Sequence, residues 1–165
     1  MPNAHDAFAP HDHRSCADDA MAMAEGRLAV TGQRLTRVRR QTLRILLDSP
    51  RALGAYEVLE RLVAEGFANQ PPVAYRALDF LEAAGLVHRI RRLNAFTACM
   101  NMGQAHAPAF LICRDCHAVA EAPALAVVEA LAAAARVLSF TVERSTIEAL
   151  GLCPSCRDIA PQVVA

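Results

Sequence analysis

The fold is decided by residues 71–85, which read PPVAYRALDFLEAAG. Proline suits the first turn of a helix, where a missing N–H has no partner to lose, and glycine is typical of a helix C-terminus. Tyr75 and Arg76 fall on the face opposite the apolar positions. The segment therefore predicts a helix with one buried face, formed by Ala74, Ala77, Leu78 and Leu81.

Two further helices are predicted before this segment. Thr36 can cap the first, whose apolar positions run to a stop at residues 48–50. The second follows Gly54 and ends at Gly66. Turn-forming residues thus separate three consecutive helical stretches, the last of which ends at Gly85.

A β-hairpin is predicted directly after the third helix. Its strands are the β-like runs 86–91 and 95–99, joined by a turn at 93–94. Three helices followed by a hairpin is the order of a winged helix-turn-helix, in which the third helix enters the major groove and the wing lies along phosphates. A small helical domain that binds a protein partner is the alternative.

The formal net charge of zero conceals an uneven distribution. All 17 basic residues are arginine. Residues 27–92 carry a net charge of +6, whereas residues 1–26 carry −4 and residues 93–165 carry −2. A basic central segment favours nucleic-acid binding, although a solvated helical face gives a similar count.

Length and composition limit the class of protein. A chain of 165 residues, of which 54% are hydrophobic, can form one domain or two small ones. No apolar run approaches the roughly 20 residues that cross a membrane, and residues 1–19 lack the apolar region of a secretory signal. We therefore expect a cytoplasmic protein without a membrane partner, in which residues 1–26 form a disordered or partly ordered tail.

Four of the six cysteines form two tight pairs near the C-terminus. The pairs are Cys113-x2-Cys116 and Cys153-x2-Cys156. Two residues between sulfurs let a tight turn direct both thiolates at one ion, and two such turns complete a tetrahedral zinc site. Buried thiols without a metal, or a redox-active pair, are the alternatives. The spacing favours zinc.

The chain around these pairs predicts a small α+β module. Strands are expected at 109–112 and 118–121, a helix at 125–135, and further β structure at 137–142 and 146–150. Such a module is too small to bury its own apolar faces well. Dimerisation through the sheet and the helix would cover them, and symmetric dimers are the commonest oligomers.

Four potential metal ligands lie outside the cysteine pairs. If the hairpin turns at 93–94, His88 and Cys99 face each other across the strands with Cβ atoms about 5 Å apart. His106 lies on the connection into the C-terminal module, and Glu121 follows the first cysteine pair. Nitrogen, sulfur and oxygen ligands in a set of four suit Zn²⁺. A hydrogen-bonded histidine and an ordinary buried thiol are the simpler explanation.

Several motifs together resemble the ferric uptake regulator family, and within it the zinc uptake regulator branch. They are the run 72–81, the segment Arg34-Leu-Thr36, the first cysteine pair, and Gly151-Leu-Cys-x2-Cys156. The resemblance covers about residues 27–158. It implies a dimeric, metal-responsive bacterial repressor with an N-terminal winged helix and a C-terminal α/β dimerisation domain.

The resemblance also implies a division of the chain. A winged-helix DNA-binding domain is expected at 27–100, a hinge at 101–107, and a dimerisation and metal-binding domain at 108–165. The implied function is zinc-responsive repression, with the homodimer binding palindromic operator DNA and controlling zinc uptake genes. Neither a catalytic residue nor a small-molecule substrate is expected.

Two zinc ions per protomer follow from the resemblance. The structural ion is assigned to Cys113, Cys116, Cys153 and Cys156. The regulatory ion is assigned to His88, Cys99, His106 and Glu121. A sulfur ligand in the regulatory set argues against the iron and peroxide branches, whose sensing sites use nitrogen and oxygen.

The expected DNA contacts come from the third helix, the first two helices and the wing. Arg37 stands where the family usually has proline, and it adds a basic residue near the DNA-binding face. The full set is Tyr75, Arg76, Arg39, Arg37, Tyr56, Arg91 and Arg92.

Three other functions stay open at this point. An iron- or manganese-sensing member of the same family is the nearest. A zinc-stapled redox protein would use Cys153 and Cys156 as its reactive pair. A zinc-stapled protein–protein adaptor would leave the arginine-rich wing unexplained.

Overall fold

The structure, a computed structural model, describes residue 8 and residues 13–67, 70–102 and 106–159. Residues within 10–104 form one compact unit, and residues within 105–165 belong to a second. The first unit contains α1 (His13–Val30), α2 (Arg37–Leu47), β1 (Leu53–Gly54), α3 (Ala55–Ala64), α4 (Pro71–Ala83), β2 (Val87–Ile90) and β3 (Ala95–Ala98). The second contains β4 (Pro108–Cys113), β5 (Val119–Pro123), α5 (Leu125–Val137), β6 (Ile147–Gly151) and α6 (Pro154–Ile159).

This mixture of helices and strands confirms the predicted α+β class. In the part of the chain that the structure describes, none of the helices has both the length and the apolar character that crossing a bilayer requires.

Helix α1 corrects the prediction of a tail at residues 1–26. From His13 onward the chain is helical, and one face of α1 is buried in the same core as α2, α3 and α4. Most of the buried positions are alanine, so the sequence gives only a weak apolar signal for this helix. Residues 1–7 and 9–12 lie outside the described residues. The buried residues of α1 are Ala17, Ala20, Met21, Ala24 and Leu28.

The three helices predicted between Thr36 and Gly85 are confirmed. Helix α2 begins after Thr36, whose hydroxyl oxygen accepts a hydrogen bond from the backbone N–H of Arg39 at 3.4 Å. Helix α3 begins after Gly54, whose N–H donates to the Glu57 carboxylate at 2.8 Å. The predicted apolar face of α4 is buried, and it packs into the core that the other helices form.

The hairpin after α4 is present, but its register differs from the prediction. Val87 pairs with Ala98 and His88 pairs with Thr97. The prediction that His88 lies directly opposite Cys99 is therefore wrong by two positions. A slip of two residues keeps side chains on the same face of a sheet, whereas a slip of one would reverse them. His88 and Cys99 are diagonal neighbours.

The turn geometry explains the difference. Asn94 adopts a left-handed conformation with φ of +46°, and its N–H donates to the carbonyl of Arg91 at 3.1 Å. The Arg89 guanidinium also donates to the Asn94 side-chain oxygen at 2.7 Å. Residues 91–94 thus form the turn, one residue earlier than expected. Strand β1 pairs with the outer edge of β3 and completes a three-stranded sheet.

The second unit is built on a three-stranded sheet in the order β5-β4-β6. Strand β4 is antiparallel to β5 and parallel to β6. The β structure predicted at 137–142 is wrong, because α5 continues to Val137 and the chain then turns through Ser139 at φ of +53°. The N–H of Phe140 donates back to the carbonyl of Ala135 at 2.9 Å, which closes the end of α5. Helix α6 was not predicted.

Candidate metal centres and nucleic-acid interface

The four cysteines of the two pairs lie together in the second unit. One ligand atom from each lies within 4.8 Å of the others, and the Sγ atoms of Cys116 and Cys153 are 3.7 Å apart. Parallel pairing of β4 with β6 places Cys113 beside Gly151, two residues before Cys153. The sheet therefore brings together two pairs that are separated by 36 residues in the sequence.

These distances fit a tetrahedral zinc site. With Zn–S bonds of about 2.3 Å, the sulfurs of a tetrahedral site are about 3.8 Å apart. All four cysteines are free, and none is joined in a disulfide. Cys113 and Cys153 are buried, whereas Cys116 is exposed. A closed set of four sulfur ligands suits a structural Zn²⁺ ion rather than a catalytic one.

The electrostatics of the cysteine cluster show what a cation would supply. Burial raises the pKa of Cys113, but backbone N–H groups, including those of Cys116 and Cys153, outweigh it and lower that pKa to about 6. Hydrogen bonding to Cys153 and Cys116 raises the pKa of Cys156 to about 12. The pKa of Cys116 is raised as well. The cluster by itself favours one thiolate surrounded by thiols, because several adjacent negative charges repel.

The first unit contributes two potential ligands from the wing. His88 lies in β2 and Cys99 directly follows β3, and their ligand atoms lie within 4.8 Å of each other. The Cys99 side chain is fully buried, and its backbone N–H donates to the carbonyl of Leu86 at 3.0 Å. An imidazole and a thiol at this separation can bind one ion.

The second unit contributes another pair. His106 Nε2 lies 2.8 Å from a Glu121 carboxylate oxygen, and only 5% of the Glu121 side chain is exposed. Glu121 lies in β5 opposite Phe110 of β4. Histidine and carboxylate in contact are a common pair of metal ligands, and an ion-paired histidine explains the same geometry. Because the two pairs belong to different units, the single four-ligand site stays a prediction.

The predicted DNA-binding face carries two exposed aromatic residues. Tyr56 at the start of α3 is 64% exposed and Tyr75 in α4 is 43% exposed. Their rings meet edge to face, with centroids 6.4 Å apart and planes at 90°. Arg76, next to Tyr75, is exposed, and its Nε donates to the carbonyl of Pro72 at 3.1 Å. Large exposed side chains in fixed positions suit contacts with a duplex.

Arginines surround this face on α2 and the wing. The Arg39 guanidinium lies 3.4 Å from the centre of the Phe80 ring, and that of Arg37 lies 5.6 Å from the Phe67 ring. Stacking of this kind fixes a guanidinium without cancelling its charge. Arg91 and Arg92 are exposed in the turn of the wing. The arginines that were predicted to meet DNA thus lie on α2, α4 and the wing, and their contacts with a duplex stay a prediction.

Sequence reasoning missed the part that α1 plays in this unit. Arg44 of α2 pairs with Asp18 at 2.5 Å, and Arg40 pairs with Glu25. Near the end of α1, Arg27 donates to the backbone of Met102. The spacing of Ala17, Ala20, Ala24 and Leu28 was the available signal for this helix.

Two known proteins that are similar to this chain carry the name of a zinc regulator. The "Zinc uptake regulation protein" of Escherichia coli (strain K12) is 33% identical over 147 residues, which is 88% of this chain and 86% of that protein. The protein of the same name from Shigella flexneri matches equally.

Two solved structures are similar over most of their length. The "Zinc Uptake Regulator Complexed With Zinc AND DNA" has a TM-score of 0.82 and 34% identity, and the match covers 87% of this chain and 96% of that one. The "Crystal structure of holo XcZur" has a TM-score of 0.77 and 38% identity, and the match covers 86% of this chain and 99% of that one.

A family model accounts for most of the chain. Residues 30–149 match the model of the ferric uptake regulator family, from the end of α1 to β6. The family comprises transcriptional regulators, in agreement with the prediction of a protein that is not an enzyme. The chain belongs to the ferric uptake regulator family.

Proposed function

We propose that this protein is a cytoplasmic, zinc-responsive transcriptional repressor that binds palindromic operator DNA as a homodimer and controls zinc uptake genes. The observation that carries the proposal is the thiol–imidazole pair of the wing, Cys99 and His88, with ligand atoms within 4.8 Å. Cys99 belongs to the buried core to which the candidate recognition helix α4 contributes Leu78 and Leu81. The titles of the similar structures, which name zinc and DNA, support the same function.

The regulatory ion is assigned to both ligand pairs together. Sulfur from Cys99, nitrogen from His88 and His106, and oxygen from Glu121 complete a set of four that suits Zn²⁺. The buried carboxylate of Glu121 and the buried thiol of Cys99 are groups whose charged forms need a nearby cation. When bound, zinc supplies the positive charge that stabilises these anionic ligands.

The structural ion is assigned to the four-cysteine cluster, which gives two zinc ions per protomer. The sulfur separation of 3.7 Å supports this assignment. The cluster joins β4, the turn after it and the start of α6. A cation there holds the end of the central strand and the C-terminal helix together, so its binding free energy adds to the folding free energy of the second unit.

In this proposal the DNA-binding domain includes α1 and extends to about residue 100. The predicted hinge at 101–107 contains residues 103–105, which lie outside the described residues. Helix α4 enters the major groove with Tyr75 and Arg76, whereas Arg91 and Arg92 of the wing lie along phosphates. Arg37, Arg39 and Tyr56 flank α4 and contact the backbone of the same duplex. Residues 108–165 form the dimerisation and metal-binding domain.

The homodimer is supported by an exposed apolar surface on the second unit. Leu125 and Leu131 of α5 are 68% and 44% exposed, and Phe140 is 66% exposed. Large apolar side chains grouped on one small unit indicate a surface that a partner covers. A second copy is the simplest occupant, because one patch can pair with itself about a two-fold axis. A palindromic operator has the matching symmetry.

The other functions are less well supported. An iron or manganese sensor would not need a buried thiol beside His88. A redox protein needs a reactive thiol pair, whereas hydrogen bonding raises the pKa of Cys156 to about 12 and so suppresses its thiolate. A protein adaptor leaves the arginines around α4 without a partner molecule of opposite charge.

The test combines metal counting with DNA selection. A duplex is enriched from a randomised palindromic library by the zinc-loaded protein, and its affinity is then measured across buffered free zinc concentrations. We expect two zinc ions per chain, one resistant to mild chelation, and DNA binding that follows the labile ion. Cys99→Ser should abolish the zinc dependence and keep the resistant ion. A single ion per chain, or DNA binding that ignores zinc, contradicts the proposal.

A further inference from the structure

Arg27, in the last turn of α1, is hydrogen-bonded to one part of the first unit and lies close to another. Its Nη1 donates a hydrogen bond to the backbone carbonyl of Met102. Its Nη2 lies 3.1 Å from the position that a β-carbon on Gly85 would occupy. Gly85 ends α4, and Met102 lies three residues after Cys99. One guanidinium is therefore bonded to the chain that leaves the wing and occupies the space beside the glycine that follows the candidate recognition helix.

The close approach of the guanidinium to Gly85 depends on the way α4 ends. Gly85 has φ of +67°, and its N–H donates to the carbonyl of Glu82 while that of Leu86 donates to Leu81, both at 2.9 Å. This pair of bonds is a Schellman motif, which favours glycine at the left-handed position. A side chain there would press on the guanidinium. The negative end of the helix dipole also favours a cation at this position.

A second connection runs in parallel through the backbone. The N–H of Cys99 donates to the carbonyl of Leu86 at 3.0 Å, and the N–H of Leu86 donates to the carbonyl of Leu81 in the last turn of α4. Cys99 and Met102 are buried to within 1% exposure in the core to which Leu28 of α1 belongs. The residues after β3 are thus hydrogen-bonded to the end of α4, and they pack in the same core as the end of α1.

We propose that Arg27 is a positioning residue that couples the candidate regulatory ligand Cys99 to the orientation of α4. An ion that fixes Cys99 also fixes the backbone from Cys99 to Met102, and Arg27 extends this constraint to Gly85. Arg27 itself is neither a metal ligand nor a residue of the DNA-binding set. The inference rests on the proposed function, because it needs DNA affinity that responds to zinc.

The test compares Arg27→Gln with Arg44→Gln in the full-length protein. Arg44→Gln removes the same charge from an arginine that also pairs with α1, through Asp18. DNA affinity is measured with the enriched duplex at high and low buffered zinc, and the ratio of the two affinities is the zinc enhancement. Zinc affinity is measured by chelator competition with and without the duplex, and thermal unfolding is followed for each variant.

For Arg27→Gln we expect the zinc enhancement to fall at least fivefold, the lower end of typical allosteric coupling. Its DNA affinity at low zinc should stay within about twofold of the Arg44→Gln value, since the two variants lose equal charge. By linkage, the effect of DNA on zinc affinity must shrink by the same factor. Equal losses of DNA affinity at high and low zinc would overturn the inference, because they indicate a general electrostatic or structural role.

A double-mutant cycle with Gly85→Ala separates coupling from strain. Gly85→Ala strains the left-handed backbone and displaces the guanidinium, so it should lower the zinc enhancement in the wild-type background. In the Arg27→Gln background, Gly85→Ala should cause little further loss of the zinc enhancement. Additive losses would overturn the inference. A wild-type protein without any zinc enhancement would instead refute the proposed function, so the two failures are distinguishable.

Discussion

The number of protons released when zinc binds the four-cysteine cluster can be worked out from the structure. At pH 7.5 a thiol with a pKa of about 6, such as Cys113, is ionised in a ratio of roughly 30 to 1. Cys156, with a pKa of about 12, is fully protonated, and the pKa of Cys116 is raised as well. Zinc binds thiolates, so at least two protons must leave, from Cys116 and Cys156.

The sign of the pH dependence follows from the same values. Protons and zinc compete for the raised thiols, so acid weakens zinc binding and base strengthens it. Each displaced proton changes the apparent zinc affinity tenfold per pH unit. With at least two protons, the affinity should therefore fall by about a hundredfold or more between pH 8 and pH 7.

Chelator competition from the zinc-loaded Cys99→Ser variant measures this slope without the candidate regulatory site. Calorimetry in two buffers of different ionisation enthalpy counts the same protons independently. A slope below two would refute the reasoning, because it would mean that the apo cluster already holds three or four thiolates. Release of four protons would refute the assignment of Cys113 as the resident thiolate.

Three further predictions concern the DNA-binding unit. Arg76→Ala should weaken binding to the enriched duplex more than binding to random DNA. If Arg91 contacts a phosphate, Arg91→Ala should lower the slope of log DNA affinity against log salt concentration by about one unit. Titrations of both duplexes at several salt concentrations distinguish the two effects. Thr36→Ala should cost about 1 kcal/mol of the free energy of unfolding in urea, since it removes the cap of α2, and an unchanged midpoint contradicts this. The hydrogen bond from the Gly54 N–H lowers the pKa of the Glu57 carboxyl group. The contribution of this carboxylate to the free energy of unfolding is therefore complete above its unfolded pKa and is lost as the pH falls through its folded pKa. Glu57→Gln should flatten the acid limb of a stability–pH profile.

The elements that the sequence predicted best are those with strong local signals. Helix α4 combines proline at its start, glycine after its end and apolar residues at helical spacing, and all three signals agree. The cysteine pairs were equally clear, because metal geometry constrains the spacing. The local sequence was sufficient to predict an element wherever its signals agreed on one structure.

The predictions that failed needed information from outside the segment. Helix α1 buries mainly alanines, so it depends on packing against α2 rather than on its own apolar face. The hairpin register depended on which residue takes the left-handed conformation. Asn94 was predicted to be the third residue of the turn, but it is the fourth. Residues 137–142 are rich in β-forming side chains, but they follow a helix that ends in its own backbone turn.

Helix α1 also changes how the charge of the chain is interpreted. The acidic residues of 1–26 were assigned to a separate tail, yet Asp18 and Glu25 pair with Arg44 and Arg40 on one side of α2. Residues 13–102 together carry a net charge of +4. The pairs neutralise the side of α2 that packs on α1, where positive charge would attract DNA without selecting a sequence. Arg39 lies on another side of α2, where stacking on Phe80 holds it with its charge intact. Arg37, in the first turn of α2, is placed over the Phe67 ring in the same way. The acidic helix thereby compensates Arg40 and Arg44 and leaves the charge of α2 on Arg37 and Arg39, the two arginines that stack on aromatic rings, so that the attraction to phosphates also orients the protein on the duplex.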